Sequence, residues 1–196
     1  MITDTSVAPI GVLESRLEAL CRAARPGSIL VQLRDLGLPT RVRLELGVRL
    51  RAITRAAGQW LAVNERADLA VLLEADALHL GEGGVASADA RRIAPSIWVC
   101  RALHDPEQAA EIDADAVVLS PVIAARKGRP ALGVEALQRC RSSARPQVQL
   151  FALGGISAQT AAECRNQGAD GVAVIGAALG EGPVVPLLRA LEISRV

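Results

Sequence analysis

The sequence predicts an α/β fold, a (β/α)8 TIM barrel that is short and whose first strand is truncated at the N-terminus. Three observations carry this reading. Seven short aliphatic or β-branched runs alternate with seven longer helical patterns. The runs are apolar on both faces, as in a parallel sheet covered by helices rather than an antiparallel sheet with one wet face. An eighth unit is suggested at the front. There Met1-Ile2-Thr3-Asp4 leads into an amphipathic stretch, 11–24, with Val12, Leu13, Leu17 and Leu20 at helical spacing.

Taken in order, the stub 1–4 feeds the helix 11–24, and SILVQLR (28–34) feeds a helix over 38–57. WLAV (60–63) precedes 66–74, ALHL (77–80) precedes 87–94, and SIWVC (96–100) precedes 106–112. AVVLS (116–120) is followed by 134–144, VQLFALGG (148–155) by 157–167, and GVAVIG (171–176) by 183–191. Fitting eight units into 196 residues requires tight loops. The competing architecture is an open doubly wound sheet. Even spacing and the absence of an early GxGxxG turn disfavour it. No linker or low-complexity segment interrupts the chain, so 1–196 reads as a single barrel domain.

Composition excludes several function classes. At 51% hydrophobic residues the chain can bury a sizeable core. Twenty-two basic residues against 21 acidic ones leave a net charge of +1, and the arginines are scattered, so no nucleic-acid footprint is visible. No apolar run approaches the roughly 18 residues of a membrane span, and MITDTSVAP lacks the charged and apolar regions of a signal peptide. Cys21, Cys100, Cys140 and Cys164 show no CxxC spacing and no adjacent histidine; they read as buried thiols in a reducing cytoplasm.

Barrel chemistry sits where the strands end on their C-terminal side. That rule selects Gln32, Arg34 and Asp35; Asn64, Glu65 and Arg66; His79 and Glu82; Ala102 and His104; Ser120, Arg126 and Lys127; Gly154, Gly155 and Ser157; and Ile175 with Gly176. The turns ALGGIS and VAVIGAAL, after the seventh and eighth strands, fit a phosphate site. Gly154 and Gly155 permit close backbone approach, Ser157 can cap the next helix, and Gly176 opens a short helical turn. The plainer alternative is that these glycines only end strands. In VQLRD, Gln32 and Arg34 share one strand face, and polar groups in an apolar barrel need partners. An anionic ligand would provide them, and so would a salt bridge from Arg34 to Glu65. The loop HLGEGG (79–84) could cradle phosphate or be derived from a metal loop.

The ordered set VQLRD, VNERADLA, ADALHLG, the His104 segment, LSPV, Lys127, PALGVEAL, ALGGIS and GADGVAVIGA resembles the thiamine-phosphate synthase family and the related thiazole tautomerase group over essentially the whole chain. The opening ITD resembles the end of that family's first strand. The resemblance implies a transfer that joins an aminopyrimidine methyl pyrophosphate to a thiazole phosphate, with Mg²⁺ assisting departure of the pyrophosphate. It implies that Gln32, Arg34 and Asn64 serve the pyrimidine pyrophosphate, that Lys127 holds the pyrophosphate, and that Gly154, Gly155, Ile175 and Gly176 hold the thiazole phosphate. Lys127 has support of its own, being the single lysine among the 22 basic residues. A compact ammonium is not interchangeable with a planar guanidinium.

The sequence also departs from the family pattern. The family's lysine after VQLRD is Leu36, its first metal-binding aspartate is Glu65, and its second is Gly84, with Glu82 two residues earlier. A serine is replaced by Ala102, and the threonine-bearing loop before the lysine reads PVIAAR. HLGEGG therefore looks like a metal loop stripped of its usual carboxylate, leaving either a weakened Mg²⁺ site at Glu65 and Glu82 or, the favoured expectation, a lost one. A tautomerase-like isomerase is the alternative, although its histidine position is Pro121; His104, in polar surroundings, is the better substitute and His79 the poorer. A third reading is a non-catalytic phosphate-ligand domain, with a fusion partner or a second copy as its associate.

Overall fold

A computed structural model describes residues 1–193. Its elements are α1 (Ile10–Ala23), β1 (Leu30–Leu33), α2 (Thr40–Ala56), β2 (Trp60–Asn64), α3 (Ala67–Leu72), β3 (Ala77–Leu80), α4 (Ser87–Ile93) and β4 (Trp98–Leu103). A 3₁₀ helix (Pro106–Glu111) follows, then β5 (Ala116–Leu119), α5 (Glu135–Ser143), β6 (Gln149–Leu153), α6 (Ala158–Asn166), β7 (Gly171–Ala173), α7 (Gly176–Leu179) and α8 (Val185–Ala190).

The seven strands pair in parallel and in chain order, β1 to β7. The expected first strand is present only as a bridge. Ile2 donates its N–H to Val174 O at 2.9 Å, just past β7; Thr3 N–H donates to Gln32 O at 2.9 Å, and Gln32 N–H to Met1 O at 2.8 Å. Three residues thus join β7 to β1 and bring the sheet round on itself in the TIM-barrel manner. β4 runs to Leu103, beyond the expected end at 100. Arg101 interrupts the apolar run, yet it pairs with Val117 in register while its guanidinium bonds Val85 O and Gly81 O at 2.8 and 3.1 Å.

Strand alternation separates two apolar layers. Val31, Leu33, Leu61, Leu78 and Leu150 face the helices with Leu13, Leu17, Leu46 and Leu50, all fully buried. Cys100, Ala116 and Val118 fill the lumen with Trp98, Phe151, Leu153 and Ala173. All four thiols are free and buried, and burial pushes Cys100 up to about 12. Among the described residues no helix is long and apolar enough to cross a membrane.

A repeated clasp ties the sheet at the end away from the candidate site. Asp76, Asp115 and Asp170 each precede a strand, and their carboxylates accept the N–H of Leu61, Val99 and Leu150 at 2.7, 2.7 and 2.8 Å. Each also meets a helical arginine, Arg51, Arg91 or Arg141. At β1 the buried Gln59 takes this place, accepting Ile29 N–H at 2.9 Å. Asp115→Ala removes the acceptor at Val99 and is expected to cost about 1–3 kcal/mol. Urea unfolding checks this; an unchanged midpoint would show that water replaces the carboxylate. Ligand binding at the opposite end should be unaffected.

Candidate active site

A cavity of about 520 Å³ opens at the C-terminal ends of the strands. Gln32, Arg34, Asn64, Glu65, His104, Lys127, Gly154 and Ile175 all line it, so the structure brings together side chains that are scattered through the sequence. A smaller apolar cavity of about 150 Å³ lies within the barrel beneath it, with Trp98, Cys100, Val118 and Phe151 in its wall. Gln32 and His79 border both. The upper cavity carries the polar groups and is where chemistry belongs.

β1 and β2 place Gln32 and Asn64 side by side, with Gln32 Nε2 donating to Asn64 Oδ1 at 2.9 Å. That bond fixes two buried amides as a neutral, hydrogen-bonding floor. The ring of His79 forms part of the same floor. Burial, with Arg101 and Arg34 adding to it, pushes its pKa down to about 4, so it is neutral near pH 7. Its buried Nδ1 has no hydrogen-bond partner.

Arg34 pairs with Asp4 at 2.9 Å rather than with Glu65. The stub explains this, because its bonds to β1 carry Asp4 alongside the strand end. Partial burial raises the Asp4 pKa, but bonds from Ser6 and the charges of Arg34 and Arg126 outweigh it and hold the carboxyl below its usual range. Asp35 adds a second tie. It accepts the Thr3 hydroxyl and, at 2.6 Å, the Thr5 N–H. Sequence reasoning assigned Asp4 no role; the only signal was the ITD stub itself.

Glu65 sits in the left-handed region, φ 63°, and its carboxylate turns onto the 81–84 loop. Oε1 accepts Gly81 N–H at 2.6 Å, and Oε2 lies 2.7 Å from where a Cβ on Gly84 would stand. The loop of HLGEGG is thus wrapped around a glutamate. Glu82, expected as a second metal ligand, is drawn instead to Arg129 at 3.1 Å and lies 4.0 Å from His104 Nε2. No cluster of three or more His, Cys, Asp or Glu able to hold a metal exists among the described residues. The cavity thus has one acidic side chain in its wall, already bonded to backbone, and these donors do not fit a resident Mg²⁺.

His104 is anchored through Nδ1, 2.5 Å from Ser120 O, a contact that makes Nδ1 the protonated nitrogen. Opposite it, Arg126 and Arg129 exchange backbone N–H···O bonds, both 3.0 Å, around Lys127 (φ 50°) and Gly128 (φ 76°). Two successive positive φ angles match a type I′ turn. All three cations of this turn line the cavity.

On the remaining wall, Gly154 (φ 106°) and Gly155 (φ 74°) follow β6, and Ser157 and Thr160 form a capping box at the start of α6. Gly176 opens α7 with Ile175 at its N-cap, as expected. The glycines also have a packing reason. Gly154 O accepts the N–H groups of Ile123 and Ala124 at 2.9 and 3.2 Å, so the turn lies directly against that loop. Gly155, Gly176 and Glu82 stand beside the cavity rather than in its wall.

The family described as thiamine monophosphate synthase matches residues 1–178. A thiamine-phosphate synthase of Methanoculleus marisnigri is 39% identical over 177 residues, covering 87% of this chain and 83% of that protein. One from Moorella thermoacetica is 34% identical over 184 residues, covering 90% and 86%. Among solved structures, a thiamine phosphate pyrophosphorylase from Pyrococcus furiosus superposes with a TM-score of 0.83 at 28% identity, covering 97% of this chain and 93% of that one.

Proposed function

Because this chain belongs to the thiamine monophosphate synthase family and serves thiamine biosynthesis, we propose that it joins an aminopyrimidine methyl pyrophosphate to a thiazole phosphate, as one unit over 1–196. The observation that carries this is the division of one cavity into a neutral amide floor, Gln32 with Asn64, and a cationic rim, Arg34 with Lys127. The floor suits a polar heterocycle, and the rim suits the pyrophosphate attached to it. The C–O bond to the pyrimidine methylene breaks and its electron pair leaves with the pyrophosphate. The thiazole nitrogen then supplies the pair that closes the new C–N bond.

Each group acts by holding and orienting. Arg34 and Lys127 stabilise the charge that grows on the departing oxygen. Gly154 and Gly155, with the Ile175-Gly176 turn, hold the thiazole phosphate through backbone N–H groups and bring its ring into line with the methylene. His104, fixed by Ser120, offers Nε2 at the cavity wall for a proton. Pro121 lines the cavity without an exchangeable proton, so the isomerase alternative lacks an acid or base there.

The test is an assay with both substrates, with and without Mg²⁺, scoring thiamine phosphate after conversion to fluorescent thiochrome. Product that requires both substrates is the expected result. Absence of product under both conditions, with both substrates bound by calorimetry, would overturn the synthase reading.

A further inference from the structure

We propose that the 126–129 turn supplies the pyrophosphate's counter-charge, through Arg126 and Arg129 beside Lys127, so that pyrophosphate binds here without a divalent cation. The inference rests on the synthase reading, which places a pyrophosphate in this cavity.

The charge inventory is lopsided. Among the described residues four cations line the cavity, Arg34, Arg126, Lys127 and Arg129, against one acidic side chain, Glu65. Asp4 takes up Arg34, whereas Glu82 meets Arg129 through one nitrogen, between two half-exposed side chains. Arg126 and Lys127 make no ion pair among the described residues, although the charge of Arg126 is felt at Asp4. A multiply charged anion is what this rim lacks.

The geometry of the turn concentrates that charge. Two backbone bonds close it, and its positive φ values at Lys127 and Gly128 set three cations within four residues at one edge of the cavity. Guanidinium groups offer planar pairs of donors that match phosphate oxygens, which an ammonium does not.

The acidic side of the cavity is arranged against a metal. A divalent cation needs carboxylate oxygens turned towards the anion. Glu65 has one oxygen bonded to Gly81 N–H and the other within the hollow at Gly84. Placing a carboxylate at 84 would drive its Cβ to 2.7 Å from that oxygen. The carboxylate that could have shared a cation has become the clamp of a loop, and the cationic turn across the cavity takes over the neutralising role.

Titration calorimetry with inorganic pyrophosphate decides this, using the whole chain in EDTA and again in excess Mg²⁺. The expected result is binding in EDTA with an affinity within about threefold of that in Mg²⁺, weakened about tenfold by Arg126→Ala and restored only in part by Arg126→Lys, which returns the charge without the planar donor pair. The exposed Arg41→Ala, on α2, is the control for a general loss of positive charge and should leave binding unchanged. Binding only in Mg²⁺ would overturn the inference and leave the synthase reading standing. Binding in EDTA that Arg126→Ala and Arg129→Ala both leave intact would remove the turn from the site. No binding in either buffer would overturn the inference, and the two-substrate assay then decides the synthase reading separately.

Discussion

Gly155→Val is expected to abolish measurable binding of thiazole phosphate, a loss of at least about a hundredfold, or nearly 3 kcal/mol. Two costs combine at this position. The backbone at Gly155 has φ 74°, where a β-branched side chain is strained by about 1–3 kcal/mol. A Cβ there would also lie 2.6 Å from Ala124 Cβ and 2.9 Å from Ala124 N, closer than real Cβ atoms approach. Either the turn or the 123–124 loop must move, and both border the proposed phosphate position. Calorimetry with the thiazole phosphate reads the loss. Gly155→Ala meets the same contacts with less bulk and should be intermediate in affinity while remaining folded by circular dichroism. Full affinity in both variants would place the phosphate elsewhere.

Acid is expected to destabilise the protein through His79, by about 3 kcal/mol once the pH has fallen well below 4. The ring borders two cavities yet lies deep in the barrel, and burial, then Arg101 and Arg34, holds its pKa near 4 against 6.5 in the unfolded chain. As the pH falls from about 6.5 towards 4, the unfolded chain takes up a proton that the native chain refuses, so stability declines across that window. Above pH 6.5 both states are neutral and the effect vanishes. Urea midpoints of the wild type and His79→Asn, compared from pH 7.5 to 4, isolate the contribution, because the carboxylates that also respond to acid are common to both. Parallel curves would show that the ring takes up its proton in the native state as readily as in the unfolded one.

Much of the barrel was legible because its signals are local. An apolar run flanked by helical spacing identifies a strand wherever it sits, and all seven runs were found, with errors confined to the ends. The extension of β4 through Arg101 was hidden, because a charged side chain in a strand looks like its end unless its partners are known. The glycine turn after β6 was legible for the same local reason: two glycines, then a helix-capping serine, specify their own geometry. Glu65 illustrates the limit. Its position after a strand marked it as a candidate ligand, but nothing local says that its carboxylate turns back onto Gly81.

By itself the sequence determined the parallel α/β order, the two glycine turns, the single lysine and the family, all of which follow from patterns within a few residues or from their order along the chain. Only the tertiary structure decided that a three-residue stub joins β7 to β1, that Asp4 rather than Glu65 neutralises Arg34, and that the turn at 126–129 faces the cavity. The physical reason is that ionic partners are chosen by proximity across the barrel mouth. That proximity depends on strand register and on how the sheet comes round on itself, which no local pattern along the chain encodes.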